Sequence, residues 1–264
     1  MDRHEFWGRY LRIYDHLNEA EEYRHNIKDA VRCLGVGPDS LVLDAGSGTG
    51  NLAVELEKAG ARVVGLDLMP EALRIHRGKQ PAAALVQASL GSPLPFASQT
   101  FDAVACLSVL FALPPKAVAQ TLREFRRVLK PGGVLVLTAM RPGESKVKAY
   151  AGFLMGRLAK RPVSRALYEV SQLIWPLLQL LYYNLRMYRL ARRNGYRRFS
   201  AQELVAEVRR GGLVIKNCET TFGGCFNMLT AKPGRLPQSF PLVRARRQYR
   251  MIPPAAAREV RQTA

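Results

Sequence analysis

Apolar and polar positions along this chain follow two alternating rhythms. Short apolar or β-branched runs, "SLVLDA", "ARVVGLD", "AAALVQAS", "FDAVACLSVL" and "GGVLVLTAM", read as strands, the first of them buried. Between them apolar residues recur at helical spacing, as in "GNLAVELEKAG", which has a glycine past its end, and in a stretch from about Lys116 to Leu129. The turn "KPGG" introduces the fifth run. A later helix, "SAQELVAEVRRGG", starts at an N-cap residue, Ser200, and leads into "LVIKNCETTF" and "FNMLTAK". Repeated strand–helix–strand units predict an α/β fold: a doubly wound, mostly parallel seven-stranded sheet of Rossmann-like type, with ligands at the carboxyl ends of the strands. The last two strands have no helix between them and predict an antiparallel edge.

Charge changes this picture by dividing the chain. Forty Lys and Arg against 21 Asp and Glu leave a net charge of +19. Residues 141–200 hold 13 basic and two acidic side chains, and residues 232–264 hold eight and one, so these two segments carry 18 of the 19 excess charges. An almost neutral core bears two basic additions. The expected organisation is an N-terminal helical arm or lid (1–35), a core (36–140 and 200–231), a basic helical insertion after the fifth strand (141–199) and a basic tail (232–264). The tail, rich in proline and poor in large apolar groups, is expected to lie over the surface or to be partly disordered.

Several classes are disfavoured by composition. No run of about 18 uncharged apolar residues is available to span a bilayer, and "MDRHEFWGRY" is too charged for a secretory signal. Cys33, Cys106, Cys218 and Cys225 lack CxxC spacing, so no metal site and no disulfide framework are expected. A reducing cytoplasm is the expected home.

The chemistry concentrates in "LVLDAGSGTG", where an acid ends a strand and three glycines follow at alternate positions. A dinucleotide fingerprint, GxGxxG, needs a third glycine where Asn51 stands. The pattern is instead Asp44-x-Gly46-x-Gly48-x-Gly50, with a second acid, Asp67, ending the next strand. Together these resemble the first motif and the second-strand acid of the class I S-adenosylmethionine-dependent methyltransferases, in their small-molecule, type 11 branch. Three further stretches are similar to that family in the same order: "QASLGSPLPFASQTFDAVACLSVL", "VLKPGGVLVLT" and "FSAQELVAEVRRGGL". The matching parts run through about 40–140 and 199–231.

The resemblance implies S-adenosylmethionine as cofactor and S-adenosylhomocysteine as product. It places Ala45, Gly46, Ser47, Gly48 and Gly50 around the aminocarboxypropyl arm, where glycine backbone and a helix N-terminus suit a carboxylate. Asp67 would accept the ribose hydroxyls, and Leu68 and Met69 would pack on adenine. Asp44 is either a cap of the glycine turn or a contact to the ligand amino group. Ser89 stands where many relatives carry an acid, which shifts adenine recognition toward backbone at Leu90. Leu107 and Ser108 would line the floor under the sulfur. The arm containing "RIYD" resembles the one that closes over the cofactor in relatives. It makes Tyr14, with Tyr10 behind it, the lid candidate and His16 or His25 the candidate base, with ring packing as the alternative for each. His76, in "EALRIHRGKQ", is expected at the helix surface.

The insertion contains "SQLIWPLLQLLYYNLRMYRLARR". Its apolar part, Leu173 to Tyr183, is broken by Pro176, too short to span a bilayer and suited to a buried or interfacial helix. Arg186, Arg189 and Arg193 share one helical face. The pattern fits a lid that touches anionic membrane at its inner face while covering a lipophilic substrate; the alternative is a cap packed on its own core. The expected function is methyl transfer to a lipophilic small molecule or lipid. Alternatives are a soluble natural product, a nucleic acid, or a non-catalytic cofactor-binding scaffold. Against nucleic acid, "CLSVLFALPP" lacks the Asn/Asp-Pro-Pro-aromatic signature of nucleic-acid amino methylases. Oligomeric state is left open.

Overall fold

The computed structural model describes residues 10–11, 21–144, 178–179, 181–183, 185–186, 198–222, 224–234 and 250–252. In chain order these give α1 (Glu21–Leu34), β1 (Leu41–Ala45), α2 (Asn51–Lys58), β2 (Arg62–Asp67), α3 (Pro70–Lys79), β3 (Ala84–Gln87), β4 (Phe101–Leu107), a 3₁₀ turn (Leu110–Ala112), α4 (Pro115–Val128), β5 (Leu129–Met140), α5 (Ala201–Arg210), β6 (Leu213–Thr221), β7 (Phe226–Pro233) and β8 (Arg250–Ile252).

The strands form one sheet in the order β6-β7-β5-β4-β1-β2-β3-β8. Strands β1 to β5 pair in parallel, whereas β7 runs antiparallel to β5 and to β6. The seven expected strands and the antiparallel edge are all present. The eighth is an addition: the tail, expected over the surface, sends Arg250–Ile252 antiparallel against Leu85–Gln87 of β3. Covering β3 removes an open edge that would otherwise offer unpaired backbone groups.

Alternation along the strands sorts the core into two layers. Leu43, Val104, Leu135 and Leu137 face one side with Leu122 and Phe125 of α4 and Leu204 and Val208 of α5. Val42, Val63, Ala105 and Val136 face the other with Ile27 and Ala30 of α1 and Leu52 and Leu56 of α2. Helix α5 starts as its sequence predicts, with Ser200 and Glu203 forming a reciprocal capping box. Asp102, at the head of β4, accepts the Leu41 N–H at 2.9 Å and pairs with Lys130 at 2.8 Å, fixing β1 and the "KPGG" turn to the same strand. The Lys130 ammonium, followed by the backbone hydrogen bond, holds the Asp102 carboxyl below the usual carboxylate range.

Chain order reverses between β1 and β4, since β1, β2 and β3 step outward one way and β4 and β5 the other. The crevice outside the carboxyl ends of those central strands is where such sheets bind ligands. The tips there are Asp44 and Ala45 on β1, Asp67 on β2 and Leu107 on β4. Of the basic insertion, the described residues are its two ends, 141–144 and 198–199, and helical residues between 178 and 186.

Candidate active site

A cavity of about 420 Å³ opens at that crevice, with walls from the β1–α2 turn, the end of β2, the loop after β3, the end of β4 and the first residues of α4. The turn is tied to β2 by its own backbone: the N–H groups of Gly46 and Ser47 both donate to the Leu66 carbonyl, at 2.7 and 2.9 Å. Asp67 completes the tie. One carboxylate oxygen accepts the Gly48 N–H at 2.9 Å and the other accepts the Met69 N–H at 2.8 Å. Burial still lifts the Asp67 carboxyl above its usual range, although those N–H groups oppose the shift.

The two alternate glycines after Gly46 do different work. Gly48 has φ +53°, and a Cβ there would meet nothing nearer than Leu11 Cδ2, at 3.9 Å, so its missing side chain is space left to the cavity. Gly50, at φ +84°, is the N-cap of α2, and a Cβ there would overlap the His76 imidazole, standing 2.6 Å from its Cγ and Nε2. His76 is therefore not at the helix surface as expected. It is buried behind the turn, wedged toward Gly50 and Gly65, because two glycines distant in sequence leave a hole of ring size. Its Nε2 bonds to Gln80 Oε1 at 2.9 Å, and burial drives its pKa down to about 4.

Asp44 is buried, and its Oδ2 has no hydrogen-bond partner. Burial, then the nearby charge of Asp67, pushes its carboxyl up to about 7, with a backbone bond at Ala53 offsetting part of the rise. A buried carboxylate oxygen without a donor is a costly arrangement unless a proton or a cationic ligand compensates it.

Of the residues singled out in the sequence, Asp44, Gly46, Ser47, Gly48, Asp67, Leu68, Met69, Ser89, Leu90 and Leu107 line the cavity. Ala45 does not: it is buried in the core between strands. Gly50 supports the turn from behind. The Ser89 hydroxyl donates to the Leu90 carbonyl at 3.1 Å. His25 lies on the solvent face of α1, 3.3 Å from Asp29 and away from the cavity. Tyr14 and His16 lie outside the described residues.

Sequence reasoning missed part of the wall. Tyr10, expected behind the lid, lines the cavity, and so does Leu11, which packs on Met69 and Ala72. Tyr10 joins an aromatic cluster with Tyr23, Met140, Tyr183, Phe222 and Phe226, and its burial raises the phenol pKa well above the ordinary value. Asn26 and Ile27 of α1 and Phe111 and Leu113 after β4 also line it. The helical spacing of Tyr23, Asn26 and Ile27 was the available signal. Ser108, noted as floor, holds φ +57° because its N–H is anchored on Thr138 Oγ1 at 2.9 Å. Among the described residues the titratable side chains on the cavity wall are Tyr10, Tyr23, Asp44 and Asp67, and no group of His, Cys, Asp and Glu there could hold a metal.

A doubly wound sheet, a glycine turn at its switch point and an acid ending the second strand define an α/β protein of the Rossmann-like class. The family model described as a methyltransferase domain matches residues 43–137. A demethylmenaquinone methyltransferase of Tropheryma whipplei is 31% identical over 162 residues, covering 58% of this chain and 67% of that protein. The chain belongs to the class I S-adenosylmethionine-dependent methyltransferase family. An uncharacterized methyltransferase of Synechocystis is 38% identical over 104 residues, 39% of this chain and 49% of that protein, so the chain matches about half of that relative's length. Among solved structures, a TehB-like SAM-dependent methyltransferase from Corynebacterium glutamicum superposes with a TM-score of 0.52 at 17% identity, over 82% of this chain and 96% of that one, which speaks to the fold alone.

Proposed function

We propose that this chain binds S-adenosylmethionine in the switch-point cavity and transfers its methyl group to a lipophilic small molecule or lipid. The observation that carries the reading is the pair of strand-end acids around the open face of Gly48: Asp67 already holding the turn, and Asp44 with an uncompensated buried oxygen. The residues present fit the group. Asp67 suits paired hydroxyls, the Asp44 oxygen an ammonium, the first turn of α2, which contains no acid, a carboxylate, and Leu68, Met69 and Leu90 a flat ring. When bound, the cofactor supplies an electrophilic methyl on a sulfonium.

What the chain's own residues add is positioning. Among the described residues no histidine lines the wall and burial keeps the Tyr10 phenol protonated, so what these apolar and aromatic residues contribute is orientation and exclusion of water. The apolar and aromatic end formed by Tyr10, Tyr23, Phe111 and Leu113 suits a lipophilic acceptor. Relatives named demethylmenaquinone methyltransferases support the same substrate class. Among the described residues no helix is long and apolar enough to cross a membrane, so an acceptor that resides in lipid would be met at a membrane surface.

The test is incubation with methyl-labelled S-adenosylmethionine and fractionated extract. Label is expected in the lipid-soluble fraction. Label in the polar small-molecule fraction would move the acceptor to soluble compounds, and label in nucleic acid would refute the acceptor class. Cofactor binding with no transfer to any fraction would leave the scaffold reading standing.

A further inference from the structure

The described residues between 178 and 186 are all helical, and they divide by exposure into two faces. Leu178, Leu181, Tyr182 and Leu185 fall at i, i+3, i+4 and i+7, a single stripe along one side of a helix. They are exposed at 53, 36, 52 and 53%. A helix that merely caps its own core buries its apolar stripe; this one turns it to solvent. The face that packs is about a third of a turn away, where Gln179, Tyr183 and Arg186 are half-buried. Tyr183 sets its ring edge to face against Tyr10 at 6.3 Å, at the aromatic end of the cavity. Arg186 donates to the Tyr182 hydroxyl at 2.8 Å, which keeps a guanidinium beside the stripe.

We infer that this stripe is a docking surface for an anionic lipid bilayer, an inference that rests on the reading above in taking the acceptor to be lipophilic. Whatever covers it has to be apolar and negative together, since the segment that carries it, residues 141–200, holds 13 basic and two acidic side chains. A second copy of the chain would bring an equal positive field against it, so self-association is opposed. A nucleic acid would satisfy the arginines and leave the leucines against phosphate and water. An anionic bilayer accepts every part: leucines at the acyl boundary, the tyrosine at headgroup level and arginines on lipid phosphates. The same helix carries Tyr183 against Tyr10, so docking brings the cavity's aromatic end within about one helix diameter, roughly 10 Å, of the lipid. A lipophilic acceptor then enters without first dissolving in water.

The experiment is co-sedimentation of the full chain with phosphatidylcholine vesicles, with and without phosphatidylglycerol, alongside calorimetry of S-adenosylhomocysteine on the same samples. The variant is Leu181→Gln with Leu185→Gln, which keeps every charge and alters exposed positions only. The wild type is expected to partition onto the anionic vesicles and hardly onto the neutral ones, and the variant to lose about tenfold or more of that binding while keeping its melting temperature and ligand affinity. Wild type that ignores anionic vesicles overturns the inference, as does a variant that binds as well as wild type. A leucine-dependent dimer in sedimentation velocity, or RNA binding of steep salt dependence in place of vesicle binding, overturns it too. Failure of S-adenosylhomocysteine to bind would instead remove the methyltransferase reading, and the vesicle result would still decide the surface.

Discussion

Alanine at Gly50 and alanine at Gly48 should fail in opposite ways. At Gly50 the new Cβ would stand 2.6 Å from Cγ and Nε2 of His76, about 1 Å inside the optimal separation of 3.5–4.0 Å for carbon contacts. The ring has little room to retreat. Gln80 holds its Nε2, and the ring already fills the space that the missing Gly65 side chain leaves. Overpacking of this kind costs about 1–3 kcal/mol, and a left-handed residue bearing a Cβ adds roughly 1–2 kcal/mol. Gly50→Ala is therefore expected to lose about 2–5 kcal/mol of stability. Gly48→Ala at φ +53° carries the conformational part alone, because nothing lies within 3.9 Å of its Cβ. Its effect should be on ligand affinity, where the methyl occupies the cavity.

Denaturant unfolding and calorimetry of S-adenosylhomocysteine separate the two. Gly50→Ala should shift the unfolding midpoint by more than Gly48→Ala, and Gly48→Ala should weaken the ligand by about tenfold or more while losing only the conformational part, roughly 1–2 kcal/mol of stability. Adding His76→Ala to Gly50→Ala should recover the overpacking part, about 1–3 kcal/mol, as a coupling energy in a double-mutant cycle. Equal stability losses for the two glycines, or no coupling between Gly50 and His76, would refute the argument.

Asp67→Ala should weaken S-adenosylmethionine and S-adenosylhomocysteine by about tenfold or more, since it removes a charged acceptor and frees two N–H groups that it now holds; unchanged affinity, or a preference for NAD, would count against the site. Asp44 at about 7 sits above its usual 3.8, so its buried protonated state favours the fold at low pH and that contribution fades as pH rises toward 7. A ligand ammonium reverses the preference, so binding near pH 6 should release a proton, seen as a buffer-dependent enthalpy that Asp44→Asn abolishes. His76 is held neutral, with its pKa lowered from 6.5 to about 4. The unfolded chain takes up the proton first, so stability should fall by up to about 3 kcal/mol as pH drops from about 6.5 to 4, and His76→Gln should flatten that slope in acid titrations of unfolding.

The sheet was legible because its central strands are buried on both faces: β1 and β4 bury every residue but Leu41, Asp102 and Leu107, and short apolar runs of this length bounded by turn residues fit central strands. The site was legible for a local reason, since Asp44, Gly46, Gly48 and Asp67 all act within a few residues of a strand tip. What sequence could not supply was any feature made by residues far apart. Three glycines at alternate positions look alike in "GSGTG", yet a Cβ at Gly46 would run into Val109, one at Gly48 would enter the cavity and one at Gly50 would strike His76. The third cause needs a partner 26 positions along the chain, and so the histidine that fills the hole looked like an ordinary polar residue on a basic helix. The same non-locality hid β8, whose three residues have no strand pattern of their own and are strand only because β3 lends them an edge. A spaced motif in one sequence thus marks where a ligand approaches, while which of its glycines serves the ligand and which serves the fold is decided by side chains that only the packed structure brings beside them.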